Sequence, residues 1–265
     1  MTTRPRLIVV GDSFSVEPAH IEDATLTWAR QVAQQLDFQL MNFSQHGVAQ
    51  DWCFQQLRAG FHAEDAITAE DRIIVCLTHP NRFWFLQDQP TLSNSHIIGL
   101  DQYISKDQNR AIQGFMQHIQ RPELDTLQMV MRLGWLAACV SRLALAKPLM
   151  IRGFAMNVQE AEQYPELSWA QGTLFDMQAD EFWDNKTHTH EYFRGLDCRY
   201  NHMTLSNHQL LSDKIVDHFK NHSSLDLTQG FIKGNIEPQS KQDLEFCSRE
   251  FNLHMLKEMQ TRPDL

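Results

Sequence analysis

Short apolar runs alternate with stretches of helical periodicity through most of the chain. Apolar runs of strand length, the first made of Leu, Ile and two Val, occupy residues 7–10, 38–43, 72–78 and 148–154. Apolar residues spaced for one helix face occupy residues 25–36, 51–57, 123–146 and 205–219. Because strands and helices alternate, the pattern predicts an α/β fold built from βαβ units around a parallel sheet.

Two stretches and the tail break this alternation. Residues 84–121 and 155–201 mix polar residues with scattered aromatic ones, and we expect both to be irregular insertions. Long irregular segments are uncommon in compact domains and are often functional, so we expect these two to lie near the site. We therefore predict an α/β domain over residues 1–222. A polar linker and a C-terminal amphipathic helix from about residue 241 to 260 would complete residues 223–265.

Composition restricts the class of protein more than it identifies a function. The 265 residues are 42% hydrophobic and 21% charged, which is ordinary for a globular chain. The net charge of −10 argues against binding to nucleic acid or an anionic membrane, because either would need a basic surface. No apolar run has the length of a signal peptide core or a membrane span. We therefore expect a cytoplasmic protein, and a component of a virion assembled there would look the same.

The five cysteines indicate neither a metal site nor a disulfide framework. They are an odd number and contain no Cys-x-x-Cys pair. Cys76 and Cys139 lie inside apolar runs, so we predict buried thiols there.

The first strand ends in a turn that carries a serine, Gly11-Asp12-Ser13-Phe14. A hydroxyl at the carboxyl end of a first strand lies where open α/β sheets bind their ligands. If a helix begins there, its backbone N–H groups can also stabilise an oxyanion. The alternative is an ordinary strand-to-helix turn in which Asp12 or Ser13 caps the helix.

Four segments in order resemble the conserved blocks of the SGNH (GDSL-type) hydrolases. Gly11–Phe14 resembles the first block, in which the serine is the nucleophile, and Asn42–Gly47 resembles the second block. Asn81 lies where the third block supplies an asparagine, although the usual Gly-x-Asn-Asp is not intact. Residues 201–211 resemble the last block, where a histidine precedes the final helix. The resemblance implies a three-layer α/β/α sandwich with a flavodoxin-like parallel sheet.

The resemblance also implies a set of site residues. Ser13 would be the nucleophile and His202 its base, a role that suits an imidazole because it can accept and later donate a proton. The backbone N–H of Ser13, that of Gly47 and the side-chain amide of Asn81 would hold the oxyanion. Thr78 and Arg82 are neighbours that could serve in place of Asn81.

One position departs from the family pattern. The family places an aspartate three residues before the catalytic histidine, and Arg199 stands there in this chain. Asp197 is nearby at a different offset, and Asn201 could hold the imidazole only as a neutral partner. The site is therefore a Ser-His dyad, or it takes an acid from elsewhere, or it is catalytically impaired.

Two functions from different classes follow. The first is a cofactor-free serine esterase that acts on small O-acyl or carbohydrate-acetyl esters. The second is an impaired SGNH-fold binding or structural protein, for example a phage virion component, since Trp28 after the first block is similar to phage-encoded members. In either case, the apolar face of the C-terminal helix would cover its own domain or form a homodimer.

A metal site is the remaining alternative suggested by the histidines. His188, His190, His202 and His208 would need Asp184, Glu191 or Asp197 to complete a ligand set. Their spacing matches no His-Glu-x-x-His pattern, so we expect no metal.

Overall fold

The computed structural model describes residues 4–16, 27–45, 48–63, 66–78, 82, 107, 110, 114, 122–178, 203 and 205–231. Within these residues the chain divides into two compact units. The first comprises residues 1–16 and 37–170, and the second comprises residues 17–36 and 171–265. The first unit contains Ser13 and most of the sheet.

Among the described residues the sheet has five strands, with the bounds β1 Arg6–Val10, β2 Gln39–Asn42, β3 Arg72–Leu77, β4 Leu149–Arg152 and β5 Ser168–Thr173. Their spatial order is β2-β1-β3-β4-β5. β1 pairs in parallel with both neighbours, so that Val9 lies opposite Asn42 on one side and Ile74 on the other. β3 pairs in parallel with β4. This is the flavodoxin-like strand order, and it confirms the α/β fold class that the SGNH resemblance implied.

The described helices are α1 Trp28–Leu36, α2 Gln50–His62, α3 Pro122–Leu143, α4 Leu174–Gln178 and α5 Leu205–Asn221, with one turn of 3-10 helix at Ala161–Gln163. Sequence periodicity predicted all of these except α4 and the 3-10 turn. The periodicity extended α3 to residue 146, whereas the helix ends at Leu143. The next residue, Ala144, adopts a left-handed φ of 50°. The N–H of Leu145 then bonds to the carbonyl of Val140, which closes the helix with a Schellman motif.

The prediction of an irregular segment over residues 155–201 is wrong for residues 168–178. Residues 168–173 form β5, at the edge of the sheet, and α4 follows directly. β5 lacks an apolar run because only Ala170 and Thr173 are buried along it. A half-exposed edge strand needs no continuous hydrophobic sequence, so periodicity did not detect it. Residues 179–201 lie outside the described part.

Both faces of the central strands are buried. On one face, α2 and α3 pack over side chains from β1, β3 and β4, among them Ile8, Val10, Ile73, Val75 and Met150. The alternate residues of β1 and β3, including Leu7, Val9 and Ile74, are fully buried as well. Burial on both faces explains why these strands are continuous apolar runs and not alternating ones.

In the second unit, α1 packs against α5. The N–H of Trp28, at the start of α1, donates to Nδ1 of the buried His208 at 3.2 Å. The amide of Gln35 donates to the hydroxyl of Ser212 at 3.2 Å. The end of β5 joins the same unit, where Gln171 forms a parallel bridge with Asp226.

Several predictions concern residues outside the described part. The insertion at 84–121 is described only at Asp107, Arg110 and Gly114, and the C-terminal helix at 241–260 is not described. The domain boundary at residue 222 and the homodimer therefore stay predictions. Cys76 is buried as predicted, whereas Cys139 is only partly buried. Within the described ranges, no helix has the length and hydropathy needed to cross a membrane.

Candidate functional site

Ser13 lies at the point of the sheet where ligands are expected in this fold. β1 is followed in sequence by β2 on one side and then by β3 on the other, which makes the β1/β3 edge a topological switch point. Ser13 follows the carboxyl end of β1, and 9% of its surface is exposed. The expected helix start is not found here. Residues 12–16 form turns, and the next described helix is α1.

The buried carboxylate of Asp12 fixes this turn. The N–H of Ser15 donates to the carbonyl of Asp12 at 2.9 Å, and the N–H of Phe14 donates to its Oδ1 at 3.2 Å. Asp12 is therefore not a helix cap. Its Oδ2 accepts from the Thr78 hydroxyl at 3.0 Å and from Nη1 of Arg82 at 2.5 Å. The carboxylate thus holds the backbone N–H that follows Ser13, while it is itself anchored by residues that follow β3.

Thr78 connects three loops at this edge. Its N–H donates to Oε1 of Gln50, at the start of α2, at 2.8 Å. Its hydroxyl lies 3.1 Å from the carbonyl of Val48 as well as near Asp12, and it can donate its one proton to either. It also accepts from Nη1 of Arg82 at 2.6 Å. Thr78 therefore ties the loops after β1, β2 and β3 to one another.

The segment that resembles the second SGNH block lies against the Ser13 turn. The side-chain amide of Asn42 donates to the carbonyl of Ser15 at 2.8 Å, and its Oδ1 accepts the N–H of Ser44 at 3.0 Å. The N–H of Gln45 donates to the carbonyl of Gly11 at 3.2 Å. These bonds bring the first two blocks together at the carboxyl edge.

Glycine allows the loops to approach this closely. A Cβ added to Gly11 would lie 2.7 Å from Cβ of Cys76 and 2.7 Å from Oγ of Ser15. A Cβ on Gly153 would lie 2.7 Å from the carbonyl of Leu77, which accepts the N–H of Gly153. Each of these contacts is too short for any larger residue, so glycine is required at both strand ends.

Two buried thiols near the turn do not compete with Ser13 as nucleophiles. Burial raises the pKa of Cys76 to about 12. Burial, with the negative charge of Asp12 adding to it, raises the pKa of Cys53 well above its ordinary value. Both thiols therefore stay protonated near neutral pH, and a thiol is a far weaker nucleophile than a thiolate.

Five of the seven predicted site residues lie outside the described part: His202, Gly47, Asn81, Asp197 and Asn201. Their roles stay predictions. Of the residues named in the metal alternative, only His208 is described, and its Nδ1 already accepts the N–H of Trp28. Among the described residues, no three His, Cys, Asp or Glu side chains are grouped so that they could hold a metal ion.

Sequence reasoning missed the partnership of Asp12, Thr78 and Arg82, and it missed Gln50 altogether. Arg82 and Thr78 were considered only as substitutes for Asn81. Asp12 and Arg82 are 70 positions apart, so no local spacing reveals that they pair. The one available signal was that Arg82 occupies the place of the acidic residue in the third SGNH block.

The site is thus a serine on a carboxylate-braced turn at the switch point of a flavodoxin-like sheet. No protein-family model matches the chain, and no curated protein matches it. Among solved structures, the crystal structure of TesA is similar at 13% identity with a TM-score of 0.42, over 82% of this chain and 98% of that one.

A second solved structure is a carbohydrate esterase, whose active site is described as displaying divergent catalytic and non-catalytic binding functions. It is similar at 12% identity with a TM-score of 0.44, over 83% of this chain and 70% of its own. Because both TM-scores are below 0.5, neither similarity assigns a role to a residue of this chain.

Proposed function

We propose that this protein is a cofactor-free serine hydrolase of the SGNH type that acts on small O-acyl or carbohydrate-acetyl esters. The observation that supports this most is the position of Ser13 at the β1/β3 switch point, on a turn braced by Asp12. A fixed turn holds a hydroxyl in one orientation, which is what nucleophilic attack requires. Hydrogen bonds join the loops after β1, β2 and β3 around this turn, so its backbone has little freedom to move.

The proposed reaction is acyl transfer to Ser13 and then to water. Ser13 Oγ adds to the ester carbonyl carbon while its proton passes to the imidazole of His202, and the carbonyl π electrons move to the oxygen. When the tetrahedral species collapses, the C=O bond re-forms and the alcohol leaves with the proton from His202. Water then repeats the sequence and releases the acid. The N–H groups of Ser13 and Gly47 and the amide of Asn81 would bind the oxyanion.

In this proposal His202 works without the usual aspartate. Arg199 occupies the family's acid position, and the charge of Asp12 is already matched by Arg82. We therefore propose a Ser-His dyad with Asn201 as a neutral partner; the alternative is a displaced acid such as Asp197. Without a fixed acid the rate should be lower than that of a complete triad.

Turnover of p-nitrophenyl acetate tests the proposal. The wild-type protein should release nitrophenolate, and Ser13→Ala should abolish the protein-dependent rate. Ser15→Ala is the matched control, because Ser15 lies in the same turn, is buried and has no role in the proposed reaction. Equal rates for wild type and Ser13→Ala would refute the esterase.

The second candidate is a binding or structural protein that has the fold without the activity, and Arg199 at the acid position favours it. A fluorophosphonate probe separates the two, because it reacts only with an activated serine. Covalent labelling that Ser13→Ala removes supports the hydrolase. Folded wild-type protein that stays unlabelled supports the binding protein.

A further inference from the structure

The guanidinium of Arg82 lies between Asp12, which precedes Ser13, and the ring of Phe154, which packs against Phe14. On one side, its Nη1 contacts Oδ2 of Asp12 at 2.5 Å. On the other, its carbon Cζ lies 5.4 Å from the ring centroid of Phe154, and that ring packs edge-on against Phe14 at 5.4 Å. Arg82 therefore contacts the turn that carries Ser13, through the residue that precedes the serine.

Arg82 has a hydrogen-bond donor that the described residues leave unused. Its side chain is only 9% exposed, and its hydrogen bonds to Asp12 and to Thr78 both use Nη1. Nε is buried and finds no acceptor in the described part of the chain, and the same holds for Nε2 of Gln50, the other side chain that binds Thr78. A buried donor without an acceptor destabilises the fold, and more so when it is charged. Two such donors around one threonine indicate an oxygen-bearing ligand.

Charge indicates which oxygen this is. Asp12 is 1% exposed and cancels the charge of Arg82, so the pair is neutral before a ligand arrives. A carboxylate or phosphate bound there would be a buried, uncompensated charge, which is costly. A neutral carbonyl oxygen adds no charge. It enters without a charge to desolvate, and negative charge forms on it only during acyl transfer, where a preorganised donor can stabilise it.

We propose that Arg82 is a catalytic residue, whose Nε–H donates to the ester carbonyl oxygen and stabilises the oxyanion formed on it. The inference rests on the proposed function. When Ser13 Oγ bonds to the carbonyl carbon, the π electron pair moves to this oxygen, and Arg82 keeps all of its protons throughout. Arg82 thereby adds a charged donor to the neutral ones proposed from Ser13, Gly47 and Asn81. A donor that binds more strongly in the transition state than in the ground state raises kcat and leaves KM nearly unchanged.

Steady-state kinetics on p-nitrophenyl acetate test the role. Arg82→Gln should lower kcat by about 10²–10³-fold with little change in KM, and Arg82→Lys should fall between the two because it keeps the charge but not the fork of donors. Arg152→Gln is the matched control. Arg152 also has a buried Nε without a partner among the described residues, but it pairs with Glu162. It should leave kcat unchanged.

A second measurement separates catalysis from folding. Phenylboronic acid adds to a serine and carries the negative charge of the tetrahedral species. Its Kd should rise in Arg82→Gln by a factor similar to the loss in kcat. If Arg82→Gln does not fold, the double variant Asp12→Asn/Arg82→Gln removes both buried charges and is compared with Asp12→Asn alone, so that the change at Asp12 is common to both. Circular dichroism confirms that both fold, and the double variant should show the same losses relative to Asp12→Asn.

The outcomes distinguish the two proposals. One outcome is that turnover requires Ser13 while a folded Arg82 variant keeps kcat within about three-fold of wild type or changes only by a higher KM. In that case Arg82 merely positions Asp12, and the inference is wrong. Unchanged affinity for phenylboronic acid would contradict it as well. If Ser13→Ala is as active as wild type, the proposed function is wrong and the inference falls with it.

Discussion

Two buried Asp–Arg pairs lie at opposite ends of β1 and β3, and they differ in how completely their hydrogen bonds are made. At the amino end, Asp71 accepts from the N–H, Nε and Nη2 of Arg6, and from the N–H and hydroxyl of Thr68. Arg6 also donates to the carbonyl of Ala66. At the carboxyl end, Arg82 uses one nitrogen for Asp12 and Thr78, while its buried Nε has no acceptor in the described residues.

If Arg82 acts as proposed, the difference separates a structural pair from a functional one. The saturated pair already makes its hydrogen bonds within the protein. Its interactions therefore stabilise the strand ends and the turn at Thr68 and not a bound ligand. The open pair leaves a buried donor without an acceptor in the described residues, and it contacts the turn that carries Ser13. A buried donor without an acceptor destabilises a folded chain. Such donors are therefore expected mainly where function requires them.

The largest expected effect comes from removing either carboxylate. Asp71→Ala and Asp12→Ala each leave a buried guanidinium without its partner, so each should lower the free energy of unfolding by about 3–5 kcal/mol. Urea denaturation at pH 7 measures this loss. Only Asp12→Ala should also lower the rate of fluorophosphonate labelling of the folded protein, because Asp12, unlike Asp71, braces the Ser13 turn.

Asp71→Ala is the control for Asp12→Ala. Each variant is assayed at a urea concentration where it stays folded, so that lost labelling cannot be lost structure. If Asp71→Ala slowed labelling as much as Asp12→Ala, the two pairs would not differ in function. The assignment of separate roles to the two ends would then be wrong.

The sequence predicts the central architecture because strands that are buried on both faces form continuous apolar runs. β1 and β3 are buried on both faces, so their apolar runs stand out from the rest of the chain. β5 does not stand out, since it lies at the edge and carries Ser, Gln and Gly. The rest of the α/β order followed from alternation, and the end of α3 was missed because Ala144 is not an obvious helix stop.

The site was predictable only where local sequence determines it. The turn around Ser13 follows from Gly11 and Asp12, which are contiguous with it. The pairing of Asp12 with Arg82 joins residues 70 positions apart, and a buried arginine has no signature in composition or periodicity. The open donors of Arg82 and Gln50 are properties of packing, which a sequence does not show residue by residue.

Acid should weaken the saturated pair in a defined direction. Burial raises the pKa of Asp71, but the hydrogen bonds from Arg6 and Thr68 outweigh it, and the pKa lies below its ordinary value. A carboxylate whose pKa is lowered in the folded state contributes stability above the unfolded value of about 3.9, and this contribution is lost as pH falls through the folded value. The difference in unfolding free energy between wild type and Asp71→Asn should therefore be constant from pH 7 to about pH 5 and narrow below about pH 4.

Urea denaturation of both proteins across this range measures the difference. Asn resembles the protonated acid, so the two proteins should converge in acid while other carboxylates titrate equally in both. A difference that stays constant down to pH 2, or that widens, would show that the charge of Asp71 does not stabilise the amino end.

The smallest expected effect belongs to a third pair, Arg4 with Asp37, which is made of the same two residue types on the surface. The side chains are 53% and 91% exposed, and Arg4 also donates from Nε to the carbonyl of Asp37 at 2.9 Å. Water solvates both charges, so Arg4→Ala should change the free energy of unfolding by no more than about 0.5 kcal/mol. Urea denaturation in low salt and in 1 M NaCl measures this, and salt should remove most of the remaining difference. A loss comparable to that of Asp71→Ala would mean that burial is not what distinguishes these pairs, and the contrast between the two ends of the sheet would lose its physical basis.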